Sequence, residues 1–434
     1  MVQNFGMAHS RSTTGYYAGL LTCAMMVGRT VSSPGWGYVT DTWGRKPVLL
    51  IAVFCTTALS IGFGFVQDYW TALGIRLAIG LTAPIGVVTK TCVTEISPPS
   101  FQAAASAMYA SSWLLGSVVG SVVGGLLVDP KSTGLAPSGF FADWPYLLPN
   151  LFTAVISFLS FVGVWIWMKE TLKKKDPLLP PTSEAPARTM WEMAKDPLIL
   201  LLAMLYGLNS FINTSYNELF PLWCWADKSK GGLEFSPADI GWALAASNVI
   251  LVIGSQLTFK RIVKHKGLKW CSIWGSVFMC PVAFVIPWIS YSGSQVGIWV
   301  YIIIMTFVFY LLNFTVLTSQ IVMSNNCVLK YERGKLNGLY MFIGSAARAL
   351  APAVMGAVFS ATANSGEPFP VNYTFCFTFL SFASFLMWFF SRKIPASVEK
   401  TKEALLQSEL NKASSDARPG LRHTVVKSLV VSYK

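Results

Sequence analysis

The chain has 434 residues, of which 53% are hydrophobic and only 12% are charged. A soluble protein of this length could not bury so much apolar surface, so the composition predicts an all-α polytopic membrane protein surrounded by lipid bilayer. The formal net charge of +13 comes from basic residues between apolar segments. There they orient a protein against the membrane, and no nucleic-acid partner is expected.

Cysteine and histidine usage gives no sign of a metal site. The eight cysteines stand singly, without a Cys-x-x-Cys pair, and His9, His265 and His423 all lie outside the apolar segments. This pattern supports neither a disulfide framework nor a zinc site. The loops also lack the paired carboxylates or His/Asp clusters of a membrane-embedded transferase, so we expect no enzyme activity, no metal and no cofactor.

Eleven apolar segments come close to or exceed the roughly 18 residues that cross a bilayer as a helix. They lie at 15–36, 47–66, 70–94, 103–127, 146–168, 197–224, 238–259, 270–290, 297–323, 336–361 and 370–391. Basic residues concentrate in alternate loops, at 45–46, 169–195, 260–269 and 330–335. The positive-inside rule places these loops in the cytoplasm and Met1 on the opposite side.

The loop between the first two segments reads Gly37-Tyr38-Val39-Thr40-Asp41-Thr42-Trp43-Gly44-Arg45-Lys46. We expect Gly37 and Gly44 to allow the tight turn, because glycine adopts left-handed backbone angles without strain. An ordinary positive-inside hairpin turn would fit these residues too. The spacing of Gly37, Asp41, Gly44, Arg45 and Lys46 resembles the signature loop between helices 2 and 3 of the major facilitator superfamily. Thr42 stands where that family usually has Arg or Lys.

This resemblance implies the major facilitator fold, with two pseudo-symmetric helical bundles, twelve helices and both ends in the cytoplasm. The eleven segments then correspond to family helices 2–12. We therefore expect a first helix that is absent from the chain, with a true eleven-span variant as the alternative. The expected units are an N-terminal bundle (helices 2–6) at 1–168, a flexible cytoplasmic linker at 169–196, a C-terminal bundle (helices 7–12) at 197–392 and a disordered cytoplasmic tail at 393–434.

Charged residues inside apolar segments are functional candidates, because each costs several kcal/mol unless it faces a cavity or a partner. Arg29 is expected to face the bundle interior and contact substrate or a carboxylate. Glu218 is a candidate protonation or substrate-cation site, or else a solvated carboxylate at the outer mouth. Arg76, followed by Gly80, resembles a family helix 4 motif associated with proton coupling; snorkelling to the outer interface is the alternative. Lys90 lies deep in an apolar segment, and its charge is explained only if the side chain faces a cavity.

The fifth family helix contains Gly116, Gly120, Ser121, Gly124 and Gly125. Glycines every four residues predict a smooth face on which another helix packs. The segment also resembles the antiporter motif of drug/proton antiporters, with Ser121 in place of a proline.

The roles expected for three further residues come from the family resemblance. The resemblance implies that Glu95 pairs with Arg45 and locks an outward-facing state. It also makes Arg348 and Pro352, in helix 11, the counterpart of the helix 5 motif.

Within the superfamily, the nearest resemblance is to the zinc-induced-facilitator-like group. It rests on Gly15-Tyr16-Tyr17-Ala18-Gly19, Gly28-Arg29, Lys169-Glu170-Thr171-Leu172, Phe220-Pro221-Leu222-Trp223 and Gly334-x-x-Asn337-Gly338. The resemblance implies a proton-coupled antiporter that moves a small organic solute or metal chelate by alternating access, with protons as partners and a monomer as the working unit. A uniporter and a non-transporting receptor of transporter ancestry are the alternatives. The sequence does not distinguish a vacuolar from a plasma membrane.

Overall fold

The structure is a computed structural model that describes residues 5–7, 14–82, 84–98, 102–128, 139–171, 188–291, 294–329, 332–363, 369 and 371–402. Within these ranges the regular structure is helical. The helices are α1 Thr14–Trp43, α2 Arg45–Gly64, α3 Tyr69–Leu81, α4 Ile85–Ile96, α5 Gln102–Leu127, α6 Phe140–Asp143, α7 Leu147–Trp167, α8 Met190–Lys195, α9 Pro197–Trp225, α10 Pro237–Lys266, α11 Leu268–Val285, α12 Gln295–Asn326, α13 Arg333–Ala363 and α14 Phe375–Ser391.

All eleven predicted segments are helical, which confirms the all-α prediction. Among the described residues, seven helices are long and apolar enough to cross a membrane, and three shorter apolar helices lie in α3, α5 and α14. The segment predicted at 70–94 is not one helix, since α3 ends at Leu81 and α4 starts at Ile85. Pro84 stands before α4. Proline lacks the amide hydrogen that a continuous helix needs, so the helix is interrupted there.

Short polar side chains set the starts of several helices. Asp68 accepts a hydrogen bond from the Thr71 amide at 2.9 Å and begins α3. Asp196 caps α9, with Pro197 in its first turn, and Ser236 forms a capping box with Asp239 at the start of α10. These caps satisfy amide groups that have no partner within the helix.

The helices form two groups. In the first, α1 packs on α3, α2 packs on α7, and α4 contacts α5. In the second, α9 packs on α13, and α11 packs on both α12 and α14. The two groups meet where α1 lies against α13 and where α5 lies against α10.

The predicted linker and tail are more ordered than expected at their described ends. Within 169–196, the structure shows helix α8, and Arg188 forms a 2.8 Å ion pair with Glu332. In the tail, Val398 is buried and its carbonyl oxygen accepts a hydrogen bond from Asn326 Nδ2 at 2.9 Å. The expected flexibility is therefore corrected for these ends, while 172–187 and 403–434 lie outside the described residues.

Candidate functional site

One face of α1 brings together charged residues from both bundles. Thr22, Met25 and Arg29 lie in one row, because residues three, four and seven positions apart share a helix face. Thr22 lies near enough to Glu218 of α9 for the two side chains to interact. The Met25 sulfur accepts a hydrogen bond from Arg76 Nη1 of α3 at 3.9 Å.

The outer layer of the site consists of Thr22, Arg76 and Glu218. The Arg76 guanidinium lies 4.4 Å from the centre of the Phe63 ring, and Glu218 and Arg76 attract each other electrostatically. Arg76 is thus turned towards the bundle interior rather than towards the outer interface. Because α3 and α9 belong to different bundles, this attraction acts across the boundary between them.

Close packing of α1 on α3 holds Arg76 in place. Gly28 lies against the carbonyl oxygen of Leu77, and Gly80 lies against that of Met25. A side chain at either glycine would force the two helices apart. Gly80, one turn after Arg76, therefore serves the close packing of α3 on α1.

The inner layer consists of Arg29 and Arg348. Arg348 donates to the hydroxyl groups of Ser210 at 3.4 Å and Ser345 at 3.3 Å. Arg29 is close enough to Arg348 for the two positive charges to interact, and the buried Nε of Arg29 has no hydrogen-bond partner. Thr22 and Arg29 are seven positions apart, so the two layers lie about 10 Å apart along α1.

A chain of hydrogen bonds, which the sequence interpretation missed, runs along α9 and α12. Tyr310 donates to Asn217 Oδ1 at 2.6 Å, and Asn217 donates to Asn213 at 3.1 Å. Asn213 donates to Asn313 at 2.9 Å, and Asn313 donates to Asn209 at 3.1 Å. The spacing of Asn209, Asn213 and Asn217 at four-residue intervals was the available signal, because it places all three on one helix face.

Lys90 is exposed on α4. Its predicted cavity-facing role stays a prediction.

The signature loop is shorter than the sequence suggested. Gly44 alone separates α1 from α2, with a φ of 110°, so the prediction for Gly44 is confirmed. Gly37 lies inside α1, and its predicted role in the turn is wrong. Asp41 lies in the last turn of α1, and its side chain is outside the described part of the structure.

The predicted pair of Arg45 and Glu95 is present at 3.0 Å. Arg45 also donates to the Thr40 carbonyl oxygen at 3.0 Å, so its guanidinium connects α1, α2 and α4. Thr171 donates to the second carboxylate oxygen of Glu95 at 2.6 Å. The pair therefore fixes helices within the first bundle.

Glu170 completes the cluster around Arg45 and Glu95, and the sequence interpretation gave it no role. Its carboxylate accepts from the backbone amides of Arg45 at 2.9 Å and Lys46 at 3.0 Å, which caps α2. The second bundle repeats this arrangement. Gly267, with a φ of 85°, separates α10 from α11, and Glu399 accepts from the Lys269 amide at 3.1 Å.

The face of α5 that packs on α10 differs from the predicted one. Ser121 and Gly125 lie against Gly241 and Pro237, whereas open space surrounds Gly116, Gly120 and Gly124. The four-residue glycine row therefore carries no partner helix among the described residues. Helix α5 contacts α10 through the adjacent row, which contains Ser121 and Gly125.

The close contacts between bundles lie on the side opposite the basic loops. There Gly15 and Gly19 of α1 pack on Gly356 and Pro352 of α13. On the same side, the C-terminal end of α5 packs on α10. At the other end of α1, Tyr38 is 73% exposed and Trp43 is 66% exposed. The bundles are thus closely packed on the side opposite the basic loops, whereas α1 is uncovered at its end beside those loops.

Comparisons with known proteins agree on the kind of molecule. A family model described as Major Facilitator Superfamily matches residues 1–352. A probable peptide/nitrate transporter of Arabidopsis thaliana is 26% identical over 83% of this chain and 78% of its own length. The zinc induced facilitator-like 1 protein of the same plant is 28% identical over 83% and 78%, respectively. The solved structure of the xylose transporter XylE from E. coli superposes with a TM-score of 0.62 at 12% identity, covering 91% of this chain and 93% of that one.

Proposed function

Because the chain belongs to the Major Facilitator Superfamily, we propose that it is a secondary active transporter that exchanges protons for a small organic solute or metal chelate. Membership makes it an integral multi-pass membrane protein and a membrane transporter rather than an enzyme. Its similarity to the zinc-induced-facilitator-like group is confirmed as well. The proton coupling and the kind of solute are the proposal.

The observation that carries the proposal is the attraction between Glu218 and Arg76 across the two bundles. In alternating access the bundles rock around a central site, so an electrostatic attraction between them is stronger in one state than in the other. A proton on Glu218 removes its negative charge and hence this attraction. Such a change shifts the balance between two states by about one to a few kcal/mol, which couples proton binding to the movement.

The expected domain boundaries enter the proposal as moving units. We propose that the bundles at 1–168 and 197–392 rock against each other and that the segment between them stays cytoplasmic. The site lies between bundles of a single chain, so a monomer suffices. Ser117 and Asn248, which form a 3.4 Å hydrogen bond between α5 and α10, would separate when the outer side opens.

Flux measurements on the full chain in proteoliposomes test the coupling. The vesicles contain a pH-sensitive dye and receive organic acids, amino acids or their zinc chelates, with and without a pH gradient. We expect flux that a pH gradient accelerates several-fold and that loses this dependence in Glu218→Gln. Asp143→Asn removes an exposed carboxylate outside the site and should keep the dependence.

Three results would contradict the proposal in different ways. Solute flux that ignores the pH gradient in the unmodified chain would indicate a uniporter. The absence of flux for every solute would favour a receptor of transporter ancestry. A gradient dependence that survives Glu218→Gln would leave proton coupling but remove Glu218 from it.

A further inference from the structure

We propose that the inner layer of the site, Arg29 and Arg348, binds the carboxylate of an organic anion, which makes organic anions the substrate class. This inference rests on the proposed transport function, since it names the solute that the central site takes. It follows from the charges, the unpaired donors and the position of the two arginines between the bundles.

The charges at the site do not balance. The two layers hold three guanidinium groups, those of Arg29, Arg76 and Arg348, but Glu218 is the only carboxylate that the described residues bring to them. Glu218 interacts with Arg76 in the outer layer, whereas the charge that acts on Arg29 is that of Arg348. The inner layer is left with two positive charges in a setting where an uncompensated charge is costly, so a negatively charged ligand would stabilise it.

The unpartnered groups around the site are hydrogen-bond donors. Buried Nε atoms of Arg29 and Arg76 lack a partner. Arg348 contacts only the hydroxyl groups of Ser210 and Ser345 among the described residues, at 3.4 and 3.3 Å. Guanidinium groups match the two oxygens of a carboxylate, which accepts hydrogen bonds and donates none.

The position of the two arginines gives binding a mechanical consequence. Arg29 belongs to the first bundle and Arg348 to the second. Without an anion they repel each other, which favours separation of the bundles on the cytoplasmic side. An anion between them replaces this repulsion with two attractions and draws the bundles together around the ligand. Substrate binding therefore promotes the closure that alternating access requires.

Binding to the purified full chain tests the inference without relying on transport. The probes are succinate, citrate and benzoate as organic anions, inorganic phosphate, tetraphenylphosphonium as a cation and glucose as a neutral solute, all at constant ionic strength. We expect at least one organic anion to raise the melting temperature in a saturable manner. Arg29→Gln and Arg348→Gln should each weaken its binding by at least about tenfold, the loss of one charged hydrogen bond.

Arg392→Gln is the matched control, because Arg392 stacks on Trp388 at the end of α14, outside the site. It should leave the affinity unchanged. A second measurement needs no variant and so remains informative if the substitutions impair folding. Phenylglyoxal modifies accessible arginines, and mass spectrometry of the unmodified protein should show that the bound anion protects Arg29 and Arg348 but not Arg392.

The inference is overturned if no organic anion binds, if phosphate alone binds, or if binding and arginine protection ignore Arg29 and Arg348. These outcomes are separate from those of the flux assay. Proton-driven flux of tetraphenylphosphonium would leave the proposed transport intact and exclude the anion. Saturable citrate binding at these arginines without flux of any solute would retain the ligand class and exclude the transporter.

Discussion

Gly44 is a residue whose backbone angle the fold requires. Its φ of 110° is unfavourable for residues with a Cβ, and a methyl group there would also meet the Glu170 carboxylate that caps α2. We expect Gly44→Ala to lower stability by roughly 1–3 kcal/mol, measured as the melting temperature in detergent. Gly37→Ala is the control, since Gly37 lies in a helix with open space around it. It should be neutral or stabilise by up to about 1 kcal/mol, and equal losses in both variants would contradict the argument.

The ion pair of Arg188 and Glu332 predicts a pH dependence. The hydrogen bond from Arg188 holds the pKa of Glu332 below its usual range, whereas the unfolded carboxyl has a pKa of about 4.3. A depressed folded pKa means that the stabilisation is complete above the unfolded pKa and is lost as the pH falls through the folded one. Arg188→Gln should therefore be less stable than the unmodified chain at pH 7. Melting curves between pH 7 and 3 should show the difference shrinking below about pH 4, and a constant difference would contradict this.

Which individual residues could be predicted depended on whether a local pattern or a known family carried the information. The pair of Arg45 and Glu95 followed from the family resemblance, and the turn at Gly44 followed from glycine's backbone freedom. The role of Glu170 could not be predicted, because its contacts with α2 join residues more than a hundred positions apart. The asparagine row on α9 was readable from its four-residue spacing and was overlooked.

At the scale of helices, hydrophobicity located every segment, because crossing a bilayer demands length and apolar character rather than a particular partner. Pro84 was a signal for the break between α3 and α4. The continuous apolar run at 70–94 nevertheless led to the prediction of a single helix. It was harder to predict which face of α5 packs on another helix. Both rows of small residues fit a packing surface, and only the position of α10 shows that the row with Ser121 and Gly125 is used.

This choice of face gives a prediction for α5. A side chain at Gly125 would lie 2.6 Å from the Pro237 carbonyl oxygen, whereas nothing lies within 4 Å at Gly120. We expect Gly125→Leu to force α5 away from α10 and lower stability by about 1–3 kcal/mol, with Gly120→Leu nearly unchanged. Melting temperatures of the two purified variants test this. A larger loss in Gly120→Leu would show that α5 packs through the other row.

At the scale of the whole molecule, the resemblance supplied the two-bundle fold, and the sequence supplied an orientation that stays a prediction. The conformation was beyond both, because the side on which the bundles pack closely depends on small free-energy differences between packed states. The pair of Arg45 and Glu95 was expected to lock an outward-facing state, and it is formed here in a structure whose bundles pack closely on the side opposite the basic loops. Since both residues belong to one bundle, their contact alone does not report the conformation.

The balance between the two conformations should respond to Glu218. Glu218→Gln mimics the protonated side chain and removes its attraction to Arg76, which acts across the bundles. The outer side should then open more often and the cytoplasmic side should close. Spin labels at Tyr38 of α1 and Phe342 of α13, two exposed positions in different bundles, would report this in a chain freed of its own cysteines. We expect the population with the shorter label distance to rise by roughly tenfold, which corresponds to about 1.4 kcal/mol.

Labels at Tyr38 and Trp165, both in the first bundle, should keep their distance. An unchanged distribution for the first pair would mean that Glu218 does not bias the movement of the bundles.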